Sequence, residues 1–279
     1  MNSGWRWGQW AVASVVSVAG VGLVGCGRPA ADEQRMSVVG SSTIAPLMGE
    51  IAKLHEVRHP GTRVDVQTGG STRGVVDVRT GVAHVGMVSR ALKPDEADLQ
   101  RVLIARDGVG VIVHGSNPVK ALSRDQVASV YRGAIRNWRE LGGPDLPISV
   151  ISKAEGRSTL EVFSGYFAVP YKEIKAQLVI GDNQQGIQAV AASPGAIGYV
   201  SIGSAEFEAR QGTPIRLVAI DGQSASTAAV AAGTYAVVRE LNLVFKPDAG
   251  PAVQALLATA RSADAARVVE AQFFVTTKP

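Results

Sequence analysis

The chain has 279 residues, 46% of them hydrophobic and 19% charged. That balance describes a globular protein rather than a disordered one, and the length suits one large domain or two modest ones. The formal charge of +4 is thin and scattered, with no Lys/Arg run, which argues against a nucleic-acid partner.

The first 25 residues carry one charge, Arg6, ahead of an apolar stretch from Ala11 to Val24. This pattern predicts an export signal, too short for a durable membrane span. It ends at Leu23-Val24-Gly25-Cys26, which resembles the lipobox of bacterial lipoproteins. The resemblance implies removal of residues 1–25 and lipidation of Cys26, with palmitate among the acyl chains. The mature protein is then exported, periplasmic or at the cell surface, and held to the membrane by its lipid. Cys26 is the only cysteine, so no disulfide forms within the chain. Residues 26–35 read as the lipidated residue and a polar tether.

Val38-Val39 is a short β-like run, and Ile44, Leu47, Met48, Ile51 and Leu54 follow at helical spacing, with Thr43 suited to the N-cap. Val64 and Val66 alternate with polar residues as a second strand, residues 75–79 read as a short helix, and 82–89 as a third strand. Residues 107–119 form an apolar strand broken at Gly115-Ser116-Asn117-Pro118, where the chain is expected to cross to a second lobe. A helix over 124–131, a loop over 133–147, a strand over 148–152 and a helix over 159–167 follow. Strands over 195–203 and 234–246 and a helix from about Ala252 complete the chain. Strands alternating with helices predict an α/β fold built on a mainly parallel sheet. Two discontinuous lobes are expected: residues 36–115 with 234–279, and residues 116–233.

One local event recurs. Ser41-Ser42-Thr43, Ser71-Thr72-Arg73 and Arg157-Ser158-Thr159 each follow a strand and open a helix, and Ser89-Arg90 follows the third strand. A helix N-terminus offers unpaired N–H groups and the positive end of the helix dipole, and hydroxyls beside it add donors. Ordinary N-capping explains any one such turn. Three of them in one chain, two with glycine and two with arginine, point instead to convergent donors for an anion at the carboxyl ends of the strands. Enzyme motifs fail: Gly69-x-x-x-x-Gly74 is followed by Val75-Val76 where a P-loop needs Lys and Ser/Thr, and no Gly-x-Ser-x-Gly elbow exists. The four histidines lack metal-ligand spacing, and a surface helix end accounts for His55 and His59. Trp138 reads as packing. No catalysis, cofactor or metal is expected.

The turns, with "GMVSRALK", "VYRGAIRNWRELGGPDLPISV", "PGAIGYVSIG" and "YAVVRELNLVFK", resemble the periplasmic phosphate-binding proteins of ABC importers over nearly the whole mature chain. The resemblance implies a two-lobed periplasmic-binding-protein fold of the type 2 kind. Such a clamp is a monomer that closes on one phosphate in the interlobe cleft and delivers it to an inner-membrane permease. By position, Ser42, Thr43 and the Ile44 amide, Ser71 and Thr72, Ser89 with Arg90, and Arg157, Ser158 and Thr159 would contact phosphate. Two departures stand out. Lys153-Ala-Glu-Gly-Arg157 stands where many members have Arg-x-x-Gly-Ser, so the cation is Arg157 or Lys153. Arg90 stands where tight binders often have Asp, which leaves the acceptor for the phosphate proton open among Glu155, Asp77 and a backbone carbonyl. The other reading is a sensor or attachment protein that uses the same fold without transport.

Overall fold

The computed structural model describes residues 34–277. The signal segment, Cys26 and most of the tether lie outside the described residues. In chain order the elements are β1 (Gln34–Gly40), α1 (Ala45–Arg58), β2 (Thr62–Thr68), α2 (Ser71–Arg79), β3 (Val85–Val88), β4 (Gln100–His114) and β5 (Ala121–Leu122). Then come α3 (Arg124–Tyr131), β6 (Ser149–Lys153), α4 (Ser158–Phe167), β7 (Leu178–Ile180), α5 (Asn183–Ala191), β8 (Ala196–Ser201), α6 (Ile202–Arg210), β9 (Ile215–Leu217) and β10 (Ala219–Ile220). The chain ends with α7 (Thr227–Ala231), β11 (Val238–Phe245), α8 (Pro251–Ala260), α9 (Ala263–Ala271) and β12 (Val275–Thr276).

The main sheet runs β2-β1-β3-β11-β4-β8-β6-β7, with β9 and β12 also on β4. β1 pairs in parallel with β2 and β3, and β6 with β7 and β8, whereas β4 and β11 run antiparallel to their neighbours. The α/β expectation holds, with two antiparallel strands at the centre of a sheet that is parallel toward both edges. β4 is longer than the sequence suggested. Its residues Gln100–Gly108 pair with β11, and Val109–Val113 pair with β8. Arg101 and Arg106 mask the first part as polar, yet β11 pairs along all of it and β12 adds a short pairing at Ala105 and Arg106.

Apolar side chains divide accordingly. Met36, Val38, Leu47, Met48, Ile51, Leu241 and Leu256 belong to one cluster, and Val109, Val111, Tyr131, Trp138, Phe163 and Tyr199 to another. Trp138 is fully buried, and its indole N–H donates to the Gly195 carbonyl at 2.9 Å, a packing role as expected. His55 departs from expectation: it is buried, with Nδ1 3.0 Å from the Thr259 hydroxyl and its ring stacked on His59. The helix face that carries it is covered by α8.

Helix starts separate into two kinds. α3, α5, α6, α7 and α9 are capped by the side chains of Ser123, Asp182, Ser201, Ser226 and Ser262, each accepting from a backbone amide inside its helix. These are the usual caps, each contributing about 1 kcal/mol. α1, α2, α4 and α8 begin at Ile44, Gly70, Arg157 and Gly250 with no side-chain cap, and of these the first three carry the Ser/Thr turns. The three recurring Ser/Thr turns are therefore not capping their own helices, and Thr43 is not the N-cap. Ser41 replaces it in part: its carbonyl accepts from the Ile44 and Ala45 amides, and its hydroxyl from the Thr43 amide at 3.2 Å.

Candidate functional site

Hydroxyls released from capping meet at one point. Ser41 Oγ donates to Ser89 Oγ at 2.8 Å, and Ser89 Oγ lies 2.9 Å from Ser158 Oγ, which also contacts Ser71 Oγ. Ser71 Oγ accepts the Ser89 amide at 3.1 Å. All four serines are buried. They come from the ends of β1 and β3 and the starts of α2 and α4, so long-range pairing of the sheet assembles them. Together with Ser42, Gly70, Lys153, Arg157 and Thr159 they line a small pocket that has no carboxylate among its lining residues.

Cations surround it. Arg239, on β11, is buried and forms a bidentate contact with Asp107 Oδ2 at 3.0 and 2.8 Å. Its remaining donors reach Thr159 Oγ1 and Thr43 Oγ1, both at 2.9 Å, and Ser89 Oγ at 3.4 Å. Lys153 ends β6 at 1% exposure, and no protein group among the described residues accepts a hydrogen bond from its Nζ. Its amine is pushed down to about 7 by burial first, then by the neighbouring Arg239 and Arg157, with Asp182 opposing. Beneath it, the Tyr199 hydroxyl accepts the Lys153 amide at 3.1 Å and contacts Ser152 Oγ at 2.9 Å. Burial lifts that phenol to about 12, so it stays neutral. Arg157 is half-buried at the rim, and among the described residues it has no ion-pair partner.

The expected residues divide into three groups. Ser42, Ser71, Ser89, Arg157, Ser158 and Thr159 line the pocket. Thr43 and Ile44 stand behind it: Thr43 Oγ1 accepts from Arg239 and from Asn183 Nδ2 at 3.0 Å, and the Ile44 amide is engaged by the Ser41 carbonyl at 3.2 Å. Thr72 and Arg90 face elsewhere. Thr72 is exposed, with its hydroxyl 3.4 Å from Glu161 Oε1. Arg90 is buried against Glu96 through two 2.7 Å hydrogen bonds, with Nε 2.9 Å from Glu161 in charge contact but not aligned as a hydrogen bond. Burial would raise the Glu96 carboxyl, but Arg90 and the Lys93 amide outweigh it and hold the group below the ordinary range. Glu155 is exposed and Asp77 pairs with Arg73, so neither carboxylate faces the pocket.

Sequence reasoning missed Arg239, Asp107 and Asn183, gave Lys153 second place, and placed Ser41 in a donor turn without naming it as a contact. Gly40 and Gly74 explain how the strand ends approach one another: a Cβ on Gly74 would lie 2.7 Å from the Val39 carbonyl, and one on Gly40 would meet the Met87 backbone. A wider cleft of about 640 Å³ opens between β4, α8 and α9. It lacks such convergence, and its Arg101 is paired with Glu240 at 2.6 Å. Among the described residues no group of three His, Cys, Asp or Glu side chains is placed to hold a metal.

Buried hydroxyls, helix N-termini and cations with one compensating carboxylate can do one thing well: replace the water around a small tetrahedral anion. Known proteins agree with that geometry. The Bacillus subtilis phosphate-binding protein PstS is 27% identical over 207 residues, covering 72% of this chain and 67% of that protein. A PstS 2 from Streptococcus pneumoniae is 33% identical over 108 residues, 38% of this chain and 37% of its own length. A Clostridium perfringens structure, assigned as a phosphate ABC transporter substrate-binding protein with bound phosphate, superposes with a TM-score of 0.82 at 29% identity, covering 88% of this chain and all of that one. Residues 27–263 match the PBP superfamily domain. The chain belongs to the PBP superfamily, and in sequence and fold it is PstS-like.

Proposed function

We propose that this protein captures inorganic phosphate outside the cytoplasm and passes it to the permease of an ABC importer. The observation that carries this reading is the contrast among helix starts. Five helices use Ser or Asp side chains as caps, while the three starts that carry the Ser/Thr turns are uncapped and bring their hydroxyls to a pocket lined also by Lys153 and Arg157 and backed by Arg239. Ser42, Ser71, Ser89, Ser158 and Thr159 supply donors to the anion, Lys153 and Arg157 supply charge, and Arg239 orients Thr43 and Thr159.

In this reading the protein is a clamp with its hinge inside β4, between Gly108 and Val109, and at the return before β11. That moves the expected crossing from residue 115 to about 108. There the Val109 amide donates to the Val237 carbonyl at 2.9 Å, and the Tyr235 hydroxyl to the Val109 carbonyl at 2.8 Å. Closure is selected because donors from both sides are satisfied only when the sides meet. Glu161, against Arg90 and against Lys93 at 3.4 Å, adds a clasp outside the pocket. Cys26 carries the lipid anchor, and the clamp works as a monomer.

Calorimetric titration tests the ligand. Phosphate and arsenate are expected to bind one to one. A dedicated acceptor for the phosphate proton can discriminate against sulfate by about 10⁴–10⁵. With no carboxylate lining this pocket, sulfate should bind within roughly a hundredfold of phosphate. Arg157→Ala should weaken phosphate about threefold to tenfold, the scale of one partly solvated contact. No heat with any tetrahedral oxyanion would overturn the reading.

A further inference from the structure

Lys153 is the one buried cation of the pocket whose terminal atom has no partner among the described residues. Arg239 has Asp107, and Arg90 has Glu96 and Glu161. A lysine at 1% exposure with an unpartnered Nζ is costly, and a residue serving only to fill space there would be apolar. The charged groups that face it are Arg239 from β11, Arg157 from the turn before α4, and Asp182 from the start of α5. Asp107 on β4 is engaged by Arg239 and by the Gly203 amide, and Tyr199 on β8 is neutral. Two guanidiniums against one carboxylate, together with burial, make a protonated amine unfavourable there until an anion arrives.

We propose that anion capture is proton-coupled at Lys153: the free protein holds this side chain largely as an amine, and an entering oxyanion is bound together with one proton that converts it to the ammonium. The proposal rests on the oxyanion reading of the pocket and adds the linkage. The proton goes to Nζ, and its source is solvent or the dihydrogen form of phosphate, which leaves as the bound hydrogen phosphate. The two routes are thermodynamically equivalent. The lowered amine, about 7, agrees with the geometry. Bound protein then holds more protons than free protein, so affinity falls as pH rises, roughly tenfold per unit above about pH 7. Phosphate is held most firmly on the acid side and released on the alkaline side.

Titration of the full mature protein with phosphate at about pH 8, in buffers of different ionisation enthalpy, counts the protons. Hydrogen phosphate dominates there and brings no proton change of its own. Wild type should take up close to one proton per phosphate, and Lys153→Arg, charged at every pH used, close to none. At about pH 6 the difference should vanish. From pH 7 to 9 the wild-type affinity should fall roughly fiftyfold relative to Lys153→Arg. A wild-type count near zero at pH 8 overturns the proposal even if Lys153→Arg fails to fold, and so does an equal count in the two proteins. Absence of any phosphate binding by wild type overturns the oxyanion reading itself, and the proposal with it. Phosphate binding without proton uptake overturns only the coupling.

Discussion

Arg239→Met is expected to lower the unfolding free energy by about 3–5 kcal/mol and to weaken phosphate binding by roughly a hundredfold or more. Both effects follow from one guanidinium. Its pair with Asp107 is 1% exposed on each side, so removing the cation leaves a carboxylate in the interior with the Gly203 amide as its remaining hydrogen bond. For a chain of this size that shifts the melting temperature by roughly 6–20 °C. Binding fails for a separate reason: Thr43 and Thr159 lose the donor that holds them, and the pocket loses the guanidinium behind it. The double variant Arg239→Met/Asp107→Asn should recover most of the stability and none of the affinity. Thermal melts and calorimetry on the two proteins check this. If Arg239→Met melts early but binds within threefold of wild type, Arg239 serves the fold alone.

Gly70→Ala should act in the opposite proportion, with a modest loss of stability and a loss of affinity of at least a hundredfold. Gly70 starts α2 with φ +93 and ψ 157, a region that only glycine occupies readily, which costs an alanine about 1–3 kcal/mol. The added methyl would also lie 2.7 Å from the Gly156 carbonyl and 2.9 Å from Arg157 Cδ. Gly156 belongs to the turn that opens α4, so the clash falls where the two sides of the pocket meet. If the protein closes as the proposed clamp, the methyl is excluded from the closed form alone. Small-angle scattering with and without phosphate, beside calorimetry, reads this directly. Wild-type affinity together with normal compaction would show that closure does not bring these backbones together.

Much of the site was legible because its residues lie in short local patterns. A strand, a glycine or arginine, and a pair of hydroxyls announce Ser42, Ser71, Ser158 and Thr159 without knowledge of their neighbours. Arg239 is written differently. In Val-Arg-Glu-Leu-Asn-Leu, alternation puts Arg239 on the face of Leu241 and Leu243, and that face is indeed buried, with Val238 38% exposed and Arg239 4%. Why a cation belongs on that face depends on Asp107, 132 residues earlier in the chain, and no local pattern carries that pairing. Arg90 misled for the same reason, since its partners Glu96 and Glu161 sit outside the Ser89-Arg90 motif. Eight elements, β5, β7, α5, α6, β9, β10, α7 and β12, escaped, and the strands among them are only two or three residues long. The Gly and three Gln within Asn183–Ala191 also blur the apolar face of α5, whose Ile187 and Val190 are nonetheless fully buried.

β4 has a consequence for how the protein comes apart. One unbroken strand completes the hydrogen-bond ladder of β11 with its first part and of β8 and β9 with its second. Neither group of strands can keep its central ladder if the other releases β4, so melting at one end withdraws the template from the other. The described residues should therefore unfold in a single cooperative transition, with fluorescence from Trp138 on one side and far-ultraviolet circular dichroism of the whole reporting the same midpoint. Phosphate, acting at a few hydroxyls, would raise that shared midpoint. Two separated transitions would mean that β4 can be held by either partner alone.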